Sequence, residues 1–284
     1  MIPEDHRRFK LALGQMAVAG GDRVGNLQRA VRMIHAAAEA GAKVMLLPEA
    51  LDAGWTSPQS RELATSIPDG STCRIFREAA RGCGLYVCAG LTERSGESVY
   101  NAAVLISPAG EVLLHHRKLN ELEIGHDVYD QGDRLGVVRT PLATFGLMIC
   151  ADGFVRDQIV SRTLGLMGAD VILAPSAWAV PPGFDNAATP YGAGWRENFG
   201  AVARDYRLWV AGCSNVGRIR GGPWNDHACI GCSLVVDPFG RVALAGPYGE
   251  QAETLLTIEI QPEPRPARGT GWNGFWRKST GAGQ

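Results

Sequence analysis

Among seven cysteines, Cys150 stands where a thiol can act as a nucleophile. It ends the segment TPLATFGLMIC, follows the apolar run Leu142–Ile149 and precedes a helical pattern that runs from Arg156 to Met167. That order predicts a strand-to-helix turn. A helix N-terminus at such a turn favours the thiolate, and its free backbone N–H groups, beginning with that of Ala151, can serve an oxyanion.

Two further positions carry complementary chemistry. In AGAKVMLLPEALDAGW (Ala40–Trp55), Glu49 follows Pro48 just beyond the apolar run Val44–Leu47. This is the carboxyl end of a strand, where functional groups of α/β sheets gather. In GEVLLHHRKLNELEIGHDVYDQGD (Gly110–Asp133), Lys118 follows a short strand that comes after the turn Pro108–Gly110. A fixed ammonium beside a reacting carbonyl stabilises the developing oxyanion. Taken singly, an inert buried thiol, a solvated carboxylate and a surface lysine are the ordinary readings. The order of the three, Pro-Glu after one strand, Arg-Lys after a second and Cys after a third, argues for a shared site.

The elements that must position these residues alternate along the chain. Apolar runs of strand length recur at Leu11–Met16, Val44–Leu47, Leu85–Leu91, Val99–Ile106, Leu142–Ile149, Val171–Ala174, Leu208–Gly212, Cys229–Val236 and Leu255–Ile260. Helical patterns fall between some of them, at Val24–Ala40, Ser71–Arg81, Arg156–Met167 and Ala193–Tyr206. Such alternation predicts an α/β layered fold. From residue 261 to 284 the chain turns rich in Pro, Gly and basic residues around Trp272, Phe275 and Trp276. We expect a domain over 1–260 and a C-terminal tail over 261–284, packed on a neighbouring subunit or on its own domain.

With 45% hydrophobic and 20% charged residues, the chain of 284 residues reads as an ordinary globular protein. Twenty-eight basic against 29 acidic residues leave a net charge of −1, and with it no electrostatic case for nucleic acid or an anionic membrane. The first ten residues, MIPEDHRRFK, lack the apolar core of a secretory signal, and no run approaches the roughly 20 apolar residues of a membrane span. A cytoplasmic location is expected. An odd number of cysteines scattered through apolar runs suits reduced thiols. Cys229 and Cys232 spell C-x-x-C without a second pair, so zinc is not expected. The stretch GRIRGG (Gly217–Gly222) lacks the Lys-Ser or Lys-Thr of a phosphate loop. No metal or organic cofactor is implied.

LLPEALDAGW, HHRKLNE and GLMICADGFVRD resemble the three signature blocks of the nitrilase, or carbon–nitrogen hydrolase, superfamily. ADVILAPSAW, the pair Trp195–Arg196, AGCSNVG and CIGCSLVVDPFGRV resemble later blocks, so the similarity spans roughly residues 8–260. The resemblance implies a four-layer α-β-β-α sandwich that pairs into a homodimer or larger assembly. It also implies that Glu49 is the general base, Cys150 the nucleophile and Lys118 the oxyanion partner. Many members carry a second glutamate after the lysine; Glu121, Glu123 and Asp127 compete for that role, and Glu121 is favoured. Nitrilases proper place Trp-Glu-His after the cysteine, whereas this chain has Ala151-Asp152-Gly153. An amide or N-carbamoyl substrate is therefore favoured over a nitrile. A non-catalytic thiol-sensing module is the alternative from another class. The loop WAVPPGFDNAATPYGAGW (Trp178–Trp195) offers Trp178, Tyr191 and Trp195, which with Trp55 make a partly aromatic pocket. Arg196 is a candidate for holding a substrate carboxylate, or for a helix-surface salt bridge.

Overall fold

Leu11 and Leu13 of β1 (Phe9–Gln15) point to one side and Ala12 to the other, and all three are fully buried. A strand buries both faces only within a sheet covered on both sides. The computed structural model, which describes residues 8–265, supplies both covers.

The first half of the chain continues with α1 (Arg23–Glu39), β2 (Val44–Leu46), α2 (Ser60–Leu63), α3 (Ser71–Cys83), β3 (Tyr86–Ser95), β4 (Ser98–Ile106) and β5 (Val112–Arg117). The second half adds β6 (Val137–Arg139), β7 (Thr144–Leu147), α4 (Ile159–Met167), β8 (Val171–Ser176), β9 (Ala179–Val180) and α5 (Ala193–Tyr206). It closes with β10 (Trp209–Ser214), β11 (Val216–Arg218), β12 (Ala228–Ile230), β13 (Leu234–Val236), β14 (Val242–Ala245) and β15 (Thr254–Ile260). One six-stranded sheet runs β15-β1-β2-β3-β4-β5 and the other β14-β13-β10-β8-β7-β6. Because β15 pairs antiparallel with β1, the end of the described chain returns to its beginning.

Alternation along the strands assigns the layers. Leu11, Leu13, Val44 and Leu46 join the core between the sheets, while Ala12, Met45 and Leu47 join a second core beneath α1 and α3. In α1, Leu27, Ala30, Ile34 and Ala37 recur at helical spacing and form its buried stripe. Asp22 caps that helix, accepting from the Gly25 N–H at 3.0 Å. On the far side, Val160 and Leu164 of α4 and Phe199 and Val202 of α5 cover the second sheet. The result is the expected α-β-β-α order.

The structure departs from the sequence expectation in two places. The run Cys229–Val236 is not one strand: Gly231 (φ +67°) and Cys232 (φ +60°) turn the chain, leaving β12 in a small sheet with β9 and β11 and β13 in the second large sheet. The helix expected from Arg156 begins at Ile159, preceded by 3₁₀ turns at Cys150–Phe154 and Arg156–Gln158. The tail begins on its own domain. Trp209 Nε1 donates to the Gln261 carbonyl at 2.8 Å, and Arg265 reaches Asp170 Oδ1 and Thr144 Oγ1, each at 2.8 Å. Trp272, Phe275 and Trp276 lie outside the described residues. Among the described residues, no helix is long and apolar enough to cross a membrane.

Candidate active site

Glu49 leaves the end of β2 into a crowded passage between strands. Its neighbour Gly90 in β3 admits no side chain, since a Cβ there would lie 2.5 Å from Glu49 Cα and 2.6 Å from the Pro48 carbonyl. The bare backbone of β3 thus lets Glu49 turn inward, where it is buried. Burial raises its carboxyl above the ordinary 4.5 against the pull of Lys118.

Lys118 follows β5 directly, and its backbone N–H donates to the Asn101 carbonyl at 2.8 Å, prolonging the β4–β5 ladder by one residue. Its ammonium is buried and meets Glu49 Oε1 and Glu121 Oε1, both at 2.8 Å. Burial opposes that charge, but the two carboxylates override it and keep Lys118 protonated well above its usual range. Of the three candidates for the second acid, the structure brings only Glu121 into the site; Glu123 and Asp127 are exposed. Gly125 makes room for it, because a Cβ at that position would lie 2.9 Å from the Glu121 carboxyl carbon.

Asn101, which the sequence reading missed, joins the two acids. Its Nδ2 donates to Glu49 Oε1 at 2.6 Å and to Glu121 Oε2 at 2.8 Å. The signal was an amide in the otherwise apolar strand Val99–Ile106. Glu121 also accepts from Trp55 Nε1 at 3.3 Å and from the Leu122 N–H at 2.9 Å.

Cys150 opens the first 3₁₀ turn with φ +42°, a conformation uncommon outside glycine. The expected helix dipole does not act on it, because α4 starts only at Ile159. Its thiol is instead pushed well above 9.0 by burial and by Glu49, with Lys118 opposing. The resting thiol is therefore protonated and needs a base. Asp152 fixes the turn: its Oδ2 accepts from the Ile149 N–H at 2.9 Å and from His116 Nε2 at 2.8 Å. Its Oδ1 accepts from the Leu119 and Asn120 N–H groups at 3.1 and 2.8 Å. Burial works against the Asp152 charge, yet these donors, His116 first, hold its carboxyl below the ordinary 3.8.

Glu49, Lys118 and Cys150 share a cavity of about 390 Å³. Of the residues expected to bind substrate, Trp55, Ala151, Trp178, Tyr191 and Trp195 line it; Trp178 and Trp195 stack at 4.6 Å and 28°. Phe154 and Trp224 line it as well, beyond the sequence expectation. Arg196 does not. It is exposed, and its guanidinium meets the Tyr191 carbonyl at 3.4 Å. Cys229 and Cys232 are free thiols, and no group of side chains among the described residues is arranged to hold a metal ion.

Fold and site together are those of a layered α/β enzyme built around a buried thiol. The model of the carbon–nitrogen hydrolase family matches residues 10–267. A nitrilase of Pyrococcus abyssi is 35% identical over 240 residues, covering 83% of this chain and 84% of the relative. An omega-amidase of Xenopus laevis is 29% identical over 268 residues, covering 89% and 88%. The crystal structure of a carbon–nitrogen hydrolase from Helicobacter pylori G27 superposes with a TM-score of 0.80 at 19% identity, over 97% of this chain and 95% of that one. The chain belongs to the carbon–nitrogen hydrolase family, within the nitrilase superfamily.

Proposed function

We propose that this amidohydrolase cleaves a non-peptide amide through a thioester on Cys150. The observation that carries the reading is the shared ammonium: Lys118 lies 2.8 Å from both Glu49 and Glu121, beside a protonated thiol in one cavity. Glu49 takes the thiol proton as sulfur attacks the carbonyl carbon. The carbonyl oxygen becomes an oxyanion facing Lys118 and the Ala151 N–H. Collapse breaks the C–N bond, and the proton on Glu49 leaves with the amine. Water, deprotonated by Glu49, then attacks the thioester, releasing the acid and returning a proton to sulfur. Asn101 and Glu121 hold Glu49 and Lys118 in register throughout.

The relatives carry both nitrilase and amidase names. The amide is favoured here because the residue two after the cysteine, Asp152, spends its oxygens on His116, Ile149, Leu119 and Asn120. It is not free to meet a substrate. The seven unpaired thiols suit a reducing, cytoplasmic compartment. Ile159, Leu166 and Met167 on α4, all exposed, support pairing of copies through this helical layer, with Arg265 of each chain on its own β7.

Intact-mass detection of an acyl adduct across paired amides and nitriles tests the reading. The adduct is expected on the native chain from amides and absent from Cys150→Ala, whose folding is expected to be unchanged by circular dichroism. Full activity in Cys150→Ala, or adducts from the nitriles alone, would sink it.

A further inference from the structure

We infer that the substrate is an uncharged carboxamide bearing one aromatic ring, and that the site discriminates against amides that carry a free carboxylate. This rests on the amide reading above and deepens it.

The wall of the cavity is aromatic. Trp55, Phe154, Trp178, Tyr191, Trp195 and Trp224 all face it. They form two sets: Trp195 stacks on Trp178 and meets Phe154 edge-on at 4.2 Å, with Tyr191 beside Trp178, while Trp224 meets Trp55 edge-on at 5.2 Å. The Trp195 indole N–H is taken by the Tyr191 hydroxyl at 3.1 Å, so Trp195 offers the cavity its ring rather than its donor. Such a wall favours a flat, apolar group held by offset or edge-on contacts. At about 390 Å³ the cavity lies near the small end of the range for ligand sites, suited to one ring and an amide.

Charge sets the complementary limit. Among the described residues, the ionic groups lining the cavity are Glu49 and Lys118. The Lys118 ammonium is already met by two carboxylates, so the cluster of Glu49, Glu121 and Lys118 has no cation left over. A carboxylate on the substrate would lose its water without gaining a partner. Arg196, the guanidinium nearest in sequence to Trp195, stands outside the lining with its bond to Tyr191.

Purified full-length protein is assayed for kcat/KM on 3-phenylpropanamide, hexanamide and glutaramate (5-amino-5-oxopentanoate). The expected order places 3-phenylpropanamide first and glutaramate at least about 100-fold below it, the scale on which an apolar pocket and an unpaired polar group discriminate. Leu122→Arg places a cation at the cavity rim, where Leu122 is 38% exposed. It should raise glutaramate turnover roughly twofold to fivefold, as one exposed ion pair allows. Glutaramate matching the aryl amide overturns the inference while leaving amide hydrolysis intact, and its loss in Arg196→Ala would then assign the carboxylate to Arg196. Hexanamide surpassing 3-phenylpropanamide overturns the aromatic preference. Release of ammonia from none of the three, with no adduct on Cys150, overturns the amide reading itself and the substrate class with it.

Discussion

Asp152 Oδ2 accepts a hydrogen bond from His116 Nε2 at 2.8 Å, and this contact fastens the strand that delivers Lys118 to the turn that delivers Cys150. The same carboxylate takes the Leu119 and Asn120 N–H groups just after Lys118 and the Ile149 N–H just before Cys150. Two sheets meet at one buried side chain. The hydrogen bonds of Asp152 go to His116, Leu119, Asn120 and Ile149 rather than to the thiol or the ammonium, so in the proposed mechanism it acts through their spacing.

Asp152→Asn should therefore separate position from binding. Its amide nitrogen or its oxygen must face donors that the carboxylate now satisfies, and each lost charged hydrogen bond costs about 1.5–3 kcal/mol. Because misplacement by about 1 Å can cost 100-fold in rate, we expect kcat to fall roughly 10- to 100-fold while KM moves less than about threefold. Steady-state kinetics decide it, and a loss confined to KM would contradict the positioning role.

Asn101 makes a second, independent prediction. Its amide bridges Glu49 and Glu121 at 2.6 and 2.8 Å, two carboxylates that would otherwise share only Lys118. Asn101→Leu keeps the volume and removes the bridge. Loss of a charge-assisted bond of about 1.5–3 kcal/mol corresponds to a fall of roughly 10- to 150-fold in kcat/KM. Asn101→Asp adds a third carboxylate beside the first two and should be worse. Kinetics of both variants, with circular dichroism to establish folding, check the order; equal activity of Asn101→Asp and the native chain would refute it.

What the sequence reveals of this site follows from how local each feature is. Glu49, Lys118 and Cys150 are legible because each stands within three residues of a strand end. Glu121 is legible only through the resemblance; its burial depends on Gly125 lying against it, a contact that spacing alone does not encode. Asn101 was hidden because its importance arises from the order β2-β3-β4-β5, which brings β4 beneath groups far away in sequence. The helix dipole expected at Cys150 failed because the turn before α4 is stretched by two short 3₁₀ segments, and periodicity does not distinguish those from α-helix. For Arg196 the helix α5 was placed correctly, yet the side chain leaves the pocket for the Tyr191 carbonyl.

The pH profile should carry the signature of a buried base. In the proposed mechanism Glu49 is ionised when it takes the thiol proton, and burial lifts its carboxyl above 4.5. The acid limb of kcat/KM should accordingly rise with one proton lost at a midpoint above 4.5. The Cys150 thiol lies well above 9.0 and Lys118 stays charged, so the plateau should extend beyond pH 9. Glu49→Gln should abolish the acid limb along with most activity. A limb centred below 4.5 in the native enzyme would exclude Glu49 as the titrating base.

Asp52, three residues beyond Glu49, ties stability to pH in the opposite direction from most carboxylates. It is buried without a cation, accepting from the Thr92 N–H at 3.0 and 3.2 Å, and burial lifts it from 3.8 to about 6. The folded chain thus holds this proton more tightly than the unfolded chain. Its contribution is fully present below 3.8 and is lost as pH rises through about 6, an interval worth about 3 kcal/mol. Glu93, Asp152 and Asp237 are held below their ordinary values and slope the other way, but they are common to the native chain and to Asp52→Asn. The difference between the two proteins isolates Asp52. Relative to the native chain, Asp52→Asn should gain about 2 kcal/mol between pH 4 and pH 7, read from urea unfolding at several pH values. A difference that stays flat, or that grows toward acid, would show that Asp52 is not the buried proton holder described by its contacts.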